Sequence, residues 1–175
     1  AARRGLPNLR STADALPALH AEKAKSMFAK YGVLTSPELE SRVEIFGEQY
    51  VTQLRIEAEQ MVQIARTMIL PAAAKHQKNL AESVGSTEGT GMECPGLRDE
   101  LEQVVELVSG FREATLELAG IAMPSDMETL ELCVFLRERV VPQMEAVRKL
   151  GDQLESVVDS SLWPLPTYSE LLTLR

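Results

Sequence analysis

Cysteine and histidine are scarce here, two of each in 175 residues. Cys94 and Cys133 lie far apart with no CxxC or Cys/His spacing, which argues against a disulfide framework and a zinc site and leaves reduced thiols. His20 and His76 each lack a histidine or carboxylate at metal-binding spacing one helical turn away, so they read as surface or satisfied histidines. Apolar runs of about 20 residues, the length of a membrane span, are missing. The Ala1-Ala2-Arg3-Arg4 start has no apolar stretch behind it to form a signal peptide. The reading is a soluble, cytoplasmic chain without a membrane partner; its start without Met suggests a fragment. Positive charge is in deficit, 18 Lys and Arg against 26 Asp and Glu, giving a net charge of -8. With no basic patch to override it, that charge repels a phosphate backbone and excludes nucleic acid as a partner. The glycines from Gly85 to Gly91 lack the GxxxxGK[ST] pattern and a preceding strand, so they are no phosphate loop. No nucleophile elbow or cysteine-protease box occurs.

Alternation of period two is also nearly absent, while helix punctuation recurs, which makes the chain all-α. Five helices are expected, at about residues 14–31, 36–84, 97–122, 126–158 and 168–173, with a mobile loop at 85–95, all in a single domain 1–175. Asp14 caps the first helix and Gly32-Val33 stops it in a Schellman turn. Ser36 caps the second, with Pro37 at its first position. Its apolar stripe is Leu39, Val43, Phe46, Tyr50, Leu54, Met61, Ile64 and Met68, and Pro71 is expected to kink it. The third helix carries a heptad seam, Leu97, Leu101, Val104, Val108, Phe111, Thr115, Leu118 and Ala122. The fourth opens on a capping box, Ser125 with Glu128, and its seam is Cys133, Leu136, Val140, Val147, Leu150, Leu154 and Val157. Short connections between long amphipathic helices predict an up-and-down four-helix bundle of proline-kinked helices with a short C-terminal tail helix. Pro71 and Pro142 are expected at one height, with Gly110 between them.

Some residues exceed what such a bundle needs. Ile45 and Ile56, eleven residues apart, share an azimuth away from the main stripe, as do Val51, Val62 and Ile69 on another flank. Such flanks are either extra core or a docking surface. Glu57 falls on the apolar stripe, where a carboxylate either pairs with Arg137 or Arg148, lies at an exposed edge, or takes a raised pKa and a catalytic role. The only tryptophan sits in the tail, Leu162-Trp163-Pro164-Leu165-Pro166-Thr167-Tyr168. Termini lose order unless tied down, so Trp163, Pro164, Pro166 and Tyr168 form a candidate anchor, with Thr167 and Glu170 as the capping box of the tail helix.

Several stretches together carry a resemblance: Asn8 to Pro17; Tyr31-Gly32-Val33-Leu34-Thr35 with Glu38-Leu39 and Ser41-Arg42; Ile56-Glu57-Ala58; Ile69-Leu70-Pro71-Ala72; and Leu162-Trp163-Pro164 with Pro166-Thr167-Tyr168. In order and spacing they resemble the C-terminal region of type III glutamine synthetases. The resemblance implies a parent enzyme that joins glutamate and ammonia using ATP and divalent Mg or Mn through a γ-glutamyl phosphate. It implies a catalytic core built N-terminal to this region, and partners in that core and in neighbouring subunits of a homo-oligomer of stacked hexameric rings. None of the metal- or phosphate-binding motifs of that core is present, so no catalytic, cofactor-binding or metal residue is assigned here. The segment then reads as a non-catalytic structural, assembly or regulatory domain. The rival is a free-standing helical module for protein interaction or signalling. Ser169-Glu170-Leu171-Leu172 continues into Thr173-Leu174-Arg175, where an aromatic finish would be expected.

Overall fold

The computed structural model describes residues 2–166 and 168–173, with the side chains of Ala2, Tyr168 and Ser169 outside the description. Described residues form helices and turns only: a 3-10 turn Ala2–Arg4, then α1 (Thr12–His20), α2 (Glu22–Lys30), α3 (Ser36–Ile64), α4 (Leu70–Gly89), α5 (Pro95–Ala119), α6 (Thr129–Phe135), α7 (Val141–Val157) and α8 (Tyr168–Thr173). Two π-helical segments, Ala65–Ile69 and Leu136–Val140, join α3 to α4 and α6 to α7. The chain divides into two compact units and not one. Unit 1 holds Ala1–Ala58 with Ile121–Pro142, and unit 2 holds Glu59–Gly120 with Gln143–Arg175.

Local chemistry explains where the helices begin and end. The expected first helix is two, because Ala21 is extended, with φ -64° and ψ 148°, and separates α1 from α2. The N-cap of α1 is Ser11, not Asp14. Its Oγ accepts the Asp14 N–H at 3.2 Å and donates to the Asp14 carboxylate at 2.8 Å. That placement frees the other Asp14 oxygen for an ion pair with Arg137. The stop at Gly32 is the expected Schellman turn. Gly32 takes φ 62°, the Val33 N–H reaches the Phe28 carbonyl at 3.0 Å, and the Gly32 N–H reaches Ala29 at 3.1 Å. The cap of helix α3 lies one residue earlier than the expected Ser36, which is already helical. Thr35 is the cap, and the Glu38 carboxylate accepts both its N–H at 2.8 Å and its hydroxyl at 2.7 Å. Helix α6 begins at Thr129 behind an extended Glu128, so the Ser125–Glu128 capping box does not form.

The Thr35 hydrogen bonds, backbone first, hold the Glu38 pKa below its ordinary value of 4.5. A depressed carboxylate pKa stabilises the fold above the unfolded value, and the gain is lost as pH falls through the folded one. The Thr35 amide should therefore lose hydrogen-exchange protection on acidification below about pH 4.5, and Glu38→Gln should flatten that dependence. An amide whose protection ignores both changes would show that the carboxylate does not cap α3.

The connection expected at residues 85–95 is shorter, spanning 90–94, because α4 continues to Gly89 and α5 begins at Pro95. The polar last turns of α4 bond back onto their own carbonyls: Ser83 to Asn79 at 2.9 Å, Thr87 to Ser83 at 2.8 Å and Thr90 to Thr87 at 2.7 Å. Arg98 at the start of α5 then pairs with Glu88, its Nε at 3.1 Å. Gly91, at φ 83°, turns the chain towards α5.

Both prolines expected to distort helices follow π segments. A proline ring crowds the carbonyl four residues back and leaves it without its usual N–H partner. Widening the preceding turn redistributes these bonds: Leu70 N–H goes to Ala65 and Val141 N–H to Leu136, each five residues back.

In unit 1 the core forms around Ala13, Leu16, Val43 and Cys133, flanked by Leu19, Tyr50, Val51 and Leu130. Gly47 lets α3 approach α6: a Cβ there would stand 2.7 Å from Thr129 Cγ2 and 3.7 Å from both Cys133 Sγ and Leu16 Cδ1. In unit 2 α4 packs on α5, and α5 on α7 through Phe111 against Gly151 and Gly110 against Leu150. Gln143 Nε2 donates to the Ala114 carbonyl at 3.1 Å and to Glu117 at 2.9 Å. The α5 seam is buried at Val104, Val108, Phe111, Thr115 and Leu118, but Ala122 lies beyond the helix.

Candidate functional site

Cys133 is fully buried, with its S–H directed at the Gly47 carbonyl 3.6 Å away. Burial pushes its thiol pKa up, which disfavours the nucleophilic thiolate. Cys94 approaches Val84 O and Glu88 Oε1 at 4.0 and 3.9 Å. His20 is exposed beside Lys25. Glu57 is exposed and accepts Gln53 Nε2 at 2.8 Å. Of its proposed partners, Arg137 bonds Asp14 and Glu138, and Arg148 reaches Asp152 at 3.6 Å. Among the described residues no three of His, Cys, Asp and Glu are grouped to hold a metal ion.

Two features stand out from this background. The first is the turn that returns the tail to unit 2 after α7. Its hub is Asp159, whose carboxylate accepts the Ser161 N–H at 2.8 Å. Its carbonyl accepts the N–H groups of Leu162 at 2.8 Å and Trp163 at 3.2 Å. The Ser161 bonds hold the Asp159 pKa below the usual carboxylate range. The Asp159 N–H faces Nδ1 of buried His76 at 3.5 Å, which leaves the ring proton of a neutral imidazole on Nε2. Among the described residues, His76 Nε2 and Trp163 Nε1 are buried without a hydrogen-bond partner. Trp163 and Pro164 are half-buried and Pro166 is exposed. Tyr168 opens α8, but its side chain, like the whole of Thr167, lies outside the described residues, and with them the tail capping box. Sequence reasoning singled out Trp163 and missed Asp159 and His76; an Asp two residues before Ser161 is a recognisable Asx-turn signal.

This geometry makes the indole a reporter. Asp159→Ala removes the carboxylate that accepts the Ser161 N–H while leaving the backbone bonds of the turn, and quenching of Trp163 fluorescence by acrylamide, a neutral quencher, should rise. Unchanged quenching would mean that the Asp159 carboxylate does not hold the tail.

The second feature is a face of α3. Ile45 and Ile56 are 55% and 53% exposed and border a shallow groove with Glu48, Gln49, Thr52, Gln53 and Glu57. The other flank differs: Ile69 is buried, and Val51 and Val62 are half-buried. Thus one of the two apolar flanks is largely drawn inward, and the other is left in solvent.

Comparison with known proteins assigns the chain. It is 40% identical to the type-3 glutamine synthetase of Dictyostelium discoideum over 98% of its own length, which is 24% of that protein. It is 26% identical to glutamine synthetases of Butyrivibrio fibrisolvens and Bacteroides fragilis, covering 98% of this chain and 25% of each relative. It therefore spans about a quarter of the length of the curated relatives it matches. No helix among the described residues is long and apolar enough to cross a membrane. The family model of the glutamine synthetase C-terminal domain matches residues 1–88, and the chain belongs to that family.

Proposed function

We propose that this chain is a non-catalytic C-terminal domain that supports assembly of a larger glutamine synthetase, whose remaining polypeptide makes glutamine from glutamate, ammonia and ATP with Mg or Mn. The carrying observation is the match that runs along 98% of this chain yet reaches only 24% of the type-3 relative. ATP and metal then belong to the rest of the polypeptide. In this reading its partners are the catalytic core and neighbouring subunits of a homo-oligomer in the cytoplasm. The long helices form an up-and-down four-helix bundle bent at Pro71 and Pro142, a reading supported by the α4–α5 and α5–α7 packing within unit 2.

The test compares the full-length protein, a version lacking these 175 residues, and the segment alone. The full-length protein should assemble and synthesise glutamine. Removal should lower its sedimentation coefficient and thermal stability, and the segment alone should show no turnover. Glutamine synthesis by the purified segment, or full assembly without it, would overturn the proposal.

A further inference from the structure

The exposed α3 face has a composition that selects its occupant. Ile45 and Ile56 are three helical turns apart, about 16 Å at 1.5 Å per residue. Between them lie neutral Gln49 and Thr52, and the groove carries two carboxylates, Glu48 and Glu57, with no Lys or Arg. Two half-exposed isoleucines in the middle of a helix gain from being covered, by about 1.5–3 kcal/mol for each fully buried large apolar side chain. Acidic borders favour a partner surface of opposite charge. The curated relatives show that about three quarters of such a protein lies outside the matching region.

We infer that the Ile45–Ile56 face is where this domain docks on the rest of its own polypeptide, against an apolar patch bordered by lysine or arginine. This rests on the reading of the chain as one domain of a longer glutamine synthetase, and it adds which face makes the contact and with what chemistry. The isoleucines supply burial, while Glu48 and Glu57 set the register and disfavour acidic surfaces.

Photo-crosslinking in the full-length protein tests it. Benzoylphenylalanine replaces Gln49 in one sample and Leu172, which is 85% exposed on the tail helix, in another. Isotopically light and heavy copies are mixed before assembly to separate links within one chain from links between copies. The expected result is a Gln49 crosslink to the non-domain part of the same chain, next to Lys or Arg. The double variant Ile45→Glu, Ile56→Glu should reduce it about tenfold or more. A crosslink from Gln49 to another copy, or one untouched by the double variant, overturns the inference. No Gln49 product alongside a Leu172 crosslink to the catalytic portion overturns this face but keeps the domain reading. No product at either position overturns the inference and counts against the domain reading as well.

Discussion

Phe111→Ala is expected to lower stability by about 3–5 kcal/mol, the usual cost of truncating a buried Phe. Phe111 is 1% exposed, and its ring edge lies 3.5 Å from where a Cβ of Gly151 would stand. The ring thus fills the space between α5 and the backbone of α7. Collapse around the truncated side chain is restricted, because Gly110 already meets Leu150 one residue away and Gln143 bonds the Ala114 carbonyl across the same two helices. A cavity should therefore remain. Leu116 is the control: it lies on the same helix but is 57% exposed, so Leu116→Ala should change stability by no more than about 0.5 kcal/mol. Urea denaturation followed by circular dichroism measures both. Equal effects would mean that the α5 seam is not core.

In unit 1, Leu136→Ala should cost about 2–5 kcal/mol. Leu136 is fully buried, and it opens the π segment that precedes Pro142. The cost is larger where neighbours cannot close the gap. Around Leu136 they are pinned: Arg137, the next residue, is tied to Asp14 on α1, and α6 is held against α3 at Gly47. Arg139→Ala, at an exposed position of the same segment, should stay within about 0.5 kcal/mol. A Leu136→Ala protein as stable as the Arg139→Ala protein would remove Leu136 from the core.

How much of this was legible beforehand differs from helix to helix. In α5 and α7 much of the seam read from spacing is buried, at Val104, Val108, Phe111, Thr115, Leu118, Val147 and Leu154, because large apolar residues at steps of three and four define a face. Leu150 and Val157, however, are only half-buried, and Val158 is buried instead. Along α3 the same reasoning drifts off the true face. Phe46 and Met68, placed on the stripe, are 44% and 38% exposed, whereas Gly47, Ala58 and Ala65 are buried. Small side chains carry little hydrophobic signal, and their burial depends on how closely two backbones approach, as Gly47 does opposite Thr129. The tail was singled out as a candidate anchor through its indole, but the approach of Asp159 to His76 joins residues 83 positions apart and leaves no local pattern.

The sequence by itself determined the helical class, the Schellman stop at Gly32, the middle of the α5 seam and the family, since each is written in nearest neighbours, helical periodicity or ordered motifs. Only the tertiary structure decided that α4 runs on to Gly89, that widened turns precede Pro71 and Pro142, and that two compact units form. It also decided that the Val51–Ile69 flank turns inward while Ile45 and Ile56 face solvent. An extra residue in a π turn rotates everything after it by about 100° relative to an unbroken α-helix, so which side chains meet is fixed by where packing permits that widening.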